Sequence, residues 1–271
     1  MRPFFSVLIC VYIKENPAFL EQCIESILSQ TVLPDELVIV KDGPLTEQLE
    51  RVLRSMDFPN ELRIISLSEN VTQGPARAIG LEAASYEWVA IMDSDDICRP
   101  DRFEKQLEMI AENPRLGLIG GQVSEFDRQP KDVVAVKTVP LSNEEIVNYA
   151  KSRNPFNQMT VMLKRDEAIM AGNYRYFPCF EDYDLWVRMI NNGVKCENHP
   201  DVLVDARVGS GMYERRRGVS YIRYEWKMQL QLKSLDFIGI GHFIKNVLLR
   251  IPIRLLPGKW TEFIYNRVLR G

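Results

Sequence analysis

Four times in its first 115 residues the chain repeats one pair of patterns: a short, continuous apolar run, then an amphipathic stretch. The apolar runs are Ser6–Tyr12 (SVLICVY), Leu37–Val40 (LVIV), Leu62–Ser66 and Trp88–Met92. Unbroken, β-branched runs of this length suit strands buried on both faces, because a strand with one wet face would alternate with polar residues. After the first run, Phe19, Leu20, Cys23, Ile24, Ile27 and Leu28 recur at the spacing of a helix that covers a sheet. Thr46–Met56, a segment from Gly74-Pro75 to Ser85, and Asp101–Ala111 read as the next helices, with Pro75 at the first-turn position a helix tolerates best. Strand and helix in strict alternation require a parallel sheet with helices on its faces. Ligands of such sheets sit at the carboxyl ends of the strands. The polar residues fall there: Tyr12 and Glu15 after the first run, Asp42 after the second, Asp93, Asp95 and Asp96 after the fourth.

The second half is patterned differently. Leu116–Val123 and Val133–Val136 are expected as strands of a mixed region. Ser142–Lys151 reads as a helix with a capping box, Ser142 with Glu145 three residues on. Met159–Lys164 is expected as a weakly alternating strand, Glu181–Asn191 as a helix stopped by Asn192-Gly193, and Val202–Val208 as a last strand. From Gly218 onward the pattern is helical. The expected fold is α/β, with a Rossmann-like, mostly parallel central sheet, helices on both faces and a C-terminal helical extension.

The stretch IMDSDDICRP (91–100) carries the first chemistry. Residues two apart on an extended chain face the same side, so a D-x-D at a strand end can aim two carboxylates at one point. Hard cations such as Mg²⁺ and Mn²⁺ take such oxygen ligands, usually one or two protein carboxylates plus substrate phosphates. A helix N-cap would explain one of these acids, but not three. There is no GxxxxGK[ST] phosphate loop and no GxGxxG turn after the first strand.

The ordered set SVLICVY, ELVIVKDG (36–43), ENVTQGPARAIGLEAA (69–84), WVAIMDSDDICRPDRFEKQ (88–106) and FEDYDLWVRM (180–189) resembles the family 2 glycosyltransferases of the GT-A fold. The resemblance spans about residues 4–210. It implies transfer of a sugar from a nucleotide-diphosphate donor, a UDP-sugar by preference, with inversion at the anomeric carbon and with Mn²⁺ or Mg²⁺. It assigns Tyr12 and Glu15 to the start of the uracil and ribose pocket, with Val11 and Ser94 beside them. Asp42 matches the acid on the uracil imide, and Arg77 a residue near base or phosphate. Asp93 falls on ribose or metal, Asp95 on the metal, and Asp96 is mainly structural. Glu181-Asp182 match the acidic pair that carries the base, with Asp182 preferred and Glu181 its competitor. Departures are Cys10-Val11-Tyr12 after the first strand, Ala78 where the family's ARN segment has Asn, and no convincing metal-ligating His at His199 or His242.

Two rivals are a phosphatase or nucleotidyltransferase on a similar sheet and a non-catalytic nucleotide-sugar-binding protein. The first lacks its nucleophile-type DxD[GT] or GxGTR turn, and the acidic pair speaks against the second. The domain division implied is residues 1–215 (1–115 for the nucleotide, 116–215 for the acceptor) and an extension, 216–271.

Charge separates the extension from the body. Residues 205–271 hold 13 Lys and Arg against 5 acids, which leaves about eleven negative charges on the rest of a chain with net charge −3. Arg215, Arg216 and Arg217 follow Gly209-Ser210-Gly211 and are expected either to lie on a solvated face or to close over phosphates as a mobile loop, since Arg binds phosphate in a bidentate way. Phe243, Ile244, Val247, Leu248, Ile251, Leu255 and Leu256 recur among Lys245, Arg250 and Arg254, followed by Trp260, Phe263, Ile264 and Tyr265. Such a basic, apolar stretch suits an anionic membrane surface, with packing on the domain or in a homodimer as the alternative. Nothing resembles a base-reading module, so no nucleic-acid partner is expected. Five cysteines without a CxxC pair and no apolar run of transmembrane length fit a cytoplasmic enzyme at the inner membrane face, acting on a saccharide or lipid-linked acceptor in cell-surface polysaccharide assembly.

Overall fold

A computed structural model describes residues 2–208 and 218–255. Arg215, Arg216, Arg217, Trp260, Phe263, Ile264 and Tyr265 lie outside the described residues. The first half follows the alternating pattern: β1 (Phe5–Val11), α1 (Pro17–Leu28), β2 (Glu36–Lys41), α2 (Glu47–Ser55), β3 (Glu61–Ser66), α3 (Gln73–Ala83) and β4 (Trp88–Asp93). These strands are parallel in the order β3-β2-β1-β4. The unbroken apolar runs follow from burial on both faces. Along β1, Val7 and Ile9 pack with Leu20, Cys23 and Ile27 of α1, while Leu8 between them packs on the α3 side with Val38 and Val40 of β2. Gly80 lets α3 close on that face, because a Cβ there would stand 2.3 Å from Leu8 Cδ1 and 2.8 Å from Val40 Cγ2.

Beyond β4 the sheet changes character. β5 (Ile97–Cys98), α4 (Arg102–Glu112), β6 (Leu116–Phe126), β7 (Val133–Lys137) and α5 (Asn143–Ala150) lead to a 3₁₀ turn at Gln158–Thr160. There follow β8 (Met162–Lys164), α6 (Arg165–Met170), α7 (Glu181–Asn191) and β9 (Lys195–Arg207). β8 joins β4 and β6 antiparallel, β6 and β9 run parallel, and β5 and β7 pair antiparallel with β9 and β6. The sheet is thus parallel over β3-β2-β1-β4 and mixed beyond β4.

Four elements differ from the sequence expectation. The strand expected over Met159–Lys164 is split. The Thr160 hydroxyl donates to Asn157 O (2.7 Å) and accepts from Gly121 N (3.0 Å), which closes a turn before the strand begins. The strand expected from Val202 starts at Lys195, with irregular register opposite Gly121–Val123 where the chain passes Pro200. α6 and the two-residue β5 had no periodic signal, being too short to show one.

The C-terminal part forms α8 (Gly218–Ser234) and α9 (Ile240–Leu255). Tyr221, Met228, Leu232 and Ile238 pack on Phe180, Tyr183 and Val187 at the start of α7, so the extension is docked beside the acidic pair. No helix among the described residues is long and apolar enough to cross a membrane.

Candidate active site

At the end of β2, Asp42 is 5% exposed. Its carboxylate accepts from Asn70 Nδ2 (2.8 Å) and Val71 N (2.7 Å), while its own N–H donates to Val11 O (2.8 Å). Val11 turns its side chain into the core. Tyr12, one residue further, is exposed. The loop that carries Tyr12 also brings Glu15 to the end of β4. There the Ser94 hydroxyl bonds the Glu15 carboxyl, yet burial and the neighbouring Asp95 and Asp93 charges push Glu15 up to about 7.

The acids after β4 separate by environment. Asp96 is buried and accepts from Arg207 N (2.8 Å), so it ties the loop to the end of β9. Burial, then the charges of Asp95 and Asp93, raise its pKa well above the ordinary carboxylate range. Arg207 also donates from Nε to Asp95 O (3.3 Å) and lies over the rings of Phe19 (3.8 Å) and Phe126 (4.7 Å). Asp93 accepts from Arg77 Nη2 at 2.5 Å. Arg77 is 4% exposed, lies over the Tyr174 ring, and sits on α3 behind the strand ends. Burial opposes its charge, but Asp93 and other acids more than offset that.

From Arg77 the polar chain continues to the downstream acids. With its amide oriented to satisfy both neighbours, Gln73 accepts from Arg77 Nη2 (2.6 Å) and donates to Glu181 Oε1 (3.1 Å). Glu181 and Asp182 open α7, where the helix dipole favours their charge. Burial wins all the same. Glu181 is raised by burial and by Asp182, with Arg77 opposing. Asp182 is raised by burial, opposed by the Tyr183 N–H, Arg77, Asn154 and Lys137. Its carboxylate accepts from Tyr183 N (2.7 Å) and Asn154 Nδ2 (2.6 Å). Asp184, third of the acids in that turn, is instead bound to Arg188 (2.8 Å) in the interior, and Arg188 donates to Asn173 O (2.7 Å). It is structural.

The fold therefore gathers Glu15, Arg77, Asp93, Ser94, Asp95, Glu181 and Asp182 about one rim, with Asp42 at its β2 end. Sequence reasoning missed Gln73, Asn154, Tyr174 and Arg207, because uncharged or lone residues carry no motif. No group of three His, Cys, Asp or Glu residues among the described residues could by itself hold a metal ion. The donor set at the rim is all oxygen, Asp95 with Asp93, and Asp93 is already shared with Arg77. That set fits a hard cation that draws its remaining ligands from substrate phosphates and water.

Residues 6–177 match the glycosyl transferase family 2 profile. Over 98% of its length the chain is 41% identical to an uncharacterized glycosyltransferase of Haemophilus influenzae, covering 99% of that protein. It is 42% identical to the amylovoran biosynthesis glycosyltransferase AmsE of Erwinia amylovora over 98% of its own length and 100% of the relative. It is 37% identical to a UDP-Gal:alpha-D-GlcNAc-diphosphoundecaprenol beta-1,3-galactosyltransferase of Escherichia coli, over 99% of this chain and 97% of that one. Among solved structures, S. aureus TarS 1-349 in complex with UDP-GlcNAc superposes with a TM-score of 0.69 at 16% identity, covering 98% of this chain and 76% of that one. The mannosyltransferase PcManGT of Pyrobaculum calidifontis with GDP-Man and Mn2+ gives 0.68 at 18% identity, over 100% and 76%. These two similarities concern the fold.

Proposed function

The chain belongs to glycosyl transferase family 2, and from that premise we propose that it transfers a hexose from a UDP-sugar, with inversion, to a lipid-linked saccharide in cell-surface polysaccharide synthesis. The polar chain Asp93–Arg77–Gln73–Glu181 carries this reading, because it joins the acids of the strand end to the acids of α7 in one site. The E. coli relative's name, with its UDP-Gal donor and diphosphoundecaprenol acceptor, supports the choice of substrates.

The acceptor hydroxyl attacks the anomeric carbon from the side opposite the diphosphate. The new C–O bond forms as the bond to the β-phosphate oxygen breaks, and UDP leaves with that electron pair. Asp182 takes the hydroxyl proton, a contribution of ~10²–10⁴-fold for a positioned base. Asn154 orients its carboxylate, and the Arg77 charge favours the ionised form of the acidic pair against burial. Asp95 and Asp93 would hold Mn²⁺ or Mg²⁺, which when bound supplies electrostatic stabilisation of the leaving diphosphate. Glu15, Tyr12 and Asp42 line the nucleoside side. Arg215 and Arg216 are assigned to the phosphates as part of the same reading.

The outer face of α9 exposes Ile240, Ile244, Leu248 and Leu249 next to Lys245, and α8 adds Trp226 and Leu230. We assign this face to peripheral contact with an anionic membrane on the cytoplasmic side, where a lipid-linked acceptor is presented.

The test is UDP release with Mn²⁺ from UDP-galactose and other UDP-sugars, with and without a GlcNAc-diphospho-lipid. Acceptor-dependent release that Asp182→Asn abolishes, with UDP binding kept, is expected. Release that needs no acceptor, or an Asp182→Asn variant that transfers normally, refutes the reading.

A further inference from the structure

α5 ends beside the acidic pair, and the carbonyls at a helix C-terminus have no partner within the helix. Here three successive carbonyls each receive a side-chain donor from elsewhere in the chain. The Tyr183 hydroxyl donates to Ala150 O, Asn246 Nδ2 to Lys151 O (2.8 Å), and Arg250 Nη1 to Ser152 O. Tyr183 is the residue after Asp182. Asn246 and Arg250 stand one turn apart on α9. The turn they hold is short: Ser152 N and Arg153 N donate back to Tyr149 O (2.9 Å each). Its next residue is Asn154, whose Nδ2 lies 2.6 Å from Asp182 Oδ2 and whose Oδ1 accepts from Phe156 N (3.2 Å).

The same two α9 residues are fixed from behind. Arg250 Nε pairs with Glu225 Oε1 (2.8 Å) of α8. Asn246 Nδ2 donates to Gln229 Oε1 (2.8 Å), and Gln229 Nε2 donates to Glu225 Oε1 (3.3 Å). Glu225 and Gln229 are wholly buried, and Asn246 is 3% exposed. Apolar residues would join two helices at least as stably as a buried ion pair does. What the polar set adds is direction: it sets the register of α9 so that both donors meet the carbonyls of Lys151 and Ser152.

We propose that Asn246 and Arg250 are positioning residues for sugar transfer: their grip on Lys151 O and Ser152 O holds Asn154 against Asp182 and so fixes the orientation of the base. This rests on Asp182 being the base. The geometry divides the labour of α9, whose inner face holds the turn before Asn154 and whose outer face is solvent-exposed.

The experiment uses the full chain and the donor–acceptor pair that the wild type turns over. Glu225→Gln with Arg250→Met removes the grip on Ser152 O without stranding a buried charge. We expect kcat to fall ~10–100-fold, as for other small displacements at a reacting centre, with UDP affinity unchanged within about twofold. Arg250→Lys, which keeps the charge for Glu225, restores part of the loss. In an Asn154→Ala background the double substitution adds no further loss, since the contact it supports is already gone. Unchanged kcat in the folded variant, parallel loss of UDP affinity, or a full additive loss in the Asn154→Ala background overturns the proposal. Should the double variant fail to fold, Asn246→Ser takes its place with the same expectations. Asp182→Asn run alongside separates the two ideas: transfer surviving in that variant defeats the base assignment, whereas its loss with a normal Arg250 variant defeats only this inference.

Discussion

Replacing Arg77 by Met tests the electrostatic centre of the site. Arg77 is the cation that meets Asp93 at 2.5 Å, and it lowers the pKa of both Glu181 and Asp182. Breaking a buried ion pair from one side costs ~3–5 kcal/mol, because the partner charge is left behind. The Asp93 side chain is 21% exposed. Water therefore relieves part of that charge, and about 3 kcal/mol is expected. In a domain of this size that lowers Tm by roughly 6–12 °C. The loss must also depend on pH. Burial already raises Glu181 and Asp182 in the folded protein, so each binds protons more tightly folded than unfolded. Stability then falls as pH rises from the ordinary carboxylate range through the folded values. Without Arg77 both values rise further and the slope steepens. Urea unfolding at about pH 5 and about pH 8 should show the larger deficit at the higher pH. Adding Asp93→Asn to Arg77→Met removes the stranded charge and should recover at least half of the loss. A deficit under about 1 kcal/mol, or one equal at both pH values, refutes Arg77 as the counter-charge.

Asp95→Asn should raise the Mn²⁺ concentration needed for half-maximal rate while leaving stability within about ±0.5 kcal/mol, as for other partly exposed sites; an unchanged Mn²⁺ requirement removes Asp95 from the metal. Asp96→Ala should cost ~1–3 kcal/mol in urea unfolding, because the part-buried Arg207 N–H loses its acceptor; an unaffected midpoint would deny Asp96 its structural role. Since the base must be ionised and both acids of the pair are raised, kcat/KM should decline with falling pH from above the ordinary carboxylate range; a rate flat to about pH 4.5 contradicts that. Ile244→Glu with Leu248→Glu should release the chain from vesicles containing anionic lipid at unchanged Tm, because both side chains are exposed; undiminished sedimentation with vesicles rejects the outer face of α9 as the contact.

The first half was legible because its information is local. A strand buried on both faces writes a continuous run such as Leu37–Val40, and the acid that ends it, Asp42, marks the rim without further knowledge. The capping box at Ser142 and Glu145 was legible for the same reason, two partners three residues apart. The second half was not, because its groups meet only in the tertiary fold. Asn154 reaches Asp182 across 28 residues, and Arg250 reaches Ser152 across 98. Asp184, the third acid of the α7 first turn, is sorted only by the structure. Its pattern equals that of its neighbours in the first turn of α7, and only the half-turn that sends it inward to Arg188 tells it apart.

The rim also holds more acids than Arg77 alone can pair. Glu15, Asp93, Asp95 and Asp96 crowd the end of β4, and each meets the crowding differently. Asp93 is held by Arg77, and Asp96 is buried on the Arg207 N–H. Glu15 is pushed to about 7 by burial and by Asp95, so near neutrality it is only partly charged. Beyond burial, Asp95 and Asp93 both raise the pKa of Glu15 and Asp96, and Asp95 also acts on the Arg207 guanidinium, so the pair contributes the negative field at the rim. On the proposed reading, a nucleotide diphosphate brings further negative charge to this place. Repulsion between the two would oppose binding unless a divalent cation lay between them. The D-x-D is therefore arranged less to bind the nucleotide than to make the protein and the nucleotide compatible, and its two aspartates divide the work. On that reading Asp93 is tied back to the scaffold through Arg77, and Asp95 is the carboxylate that would meet the cation.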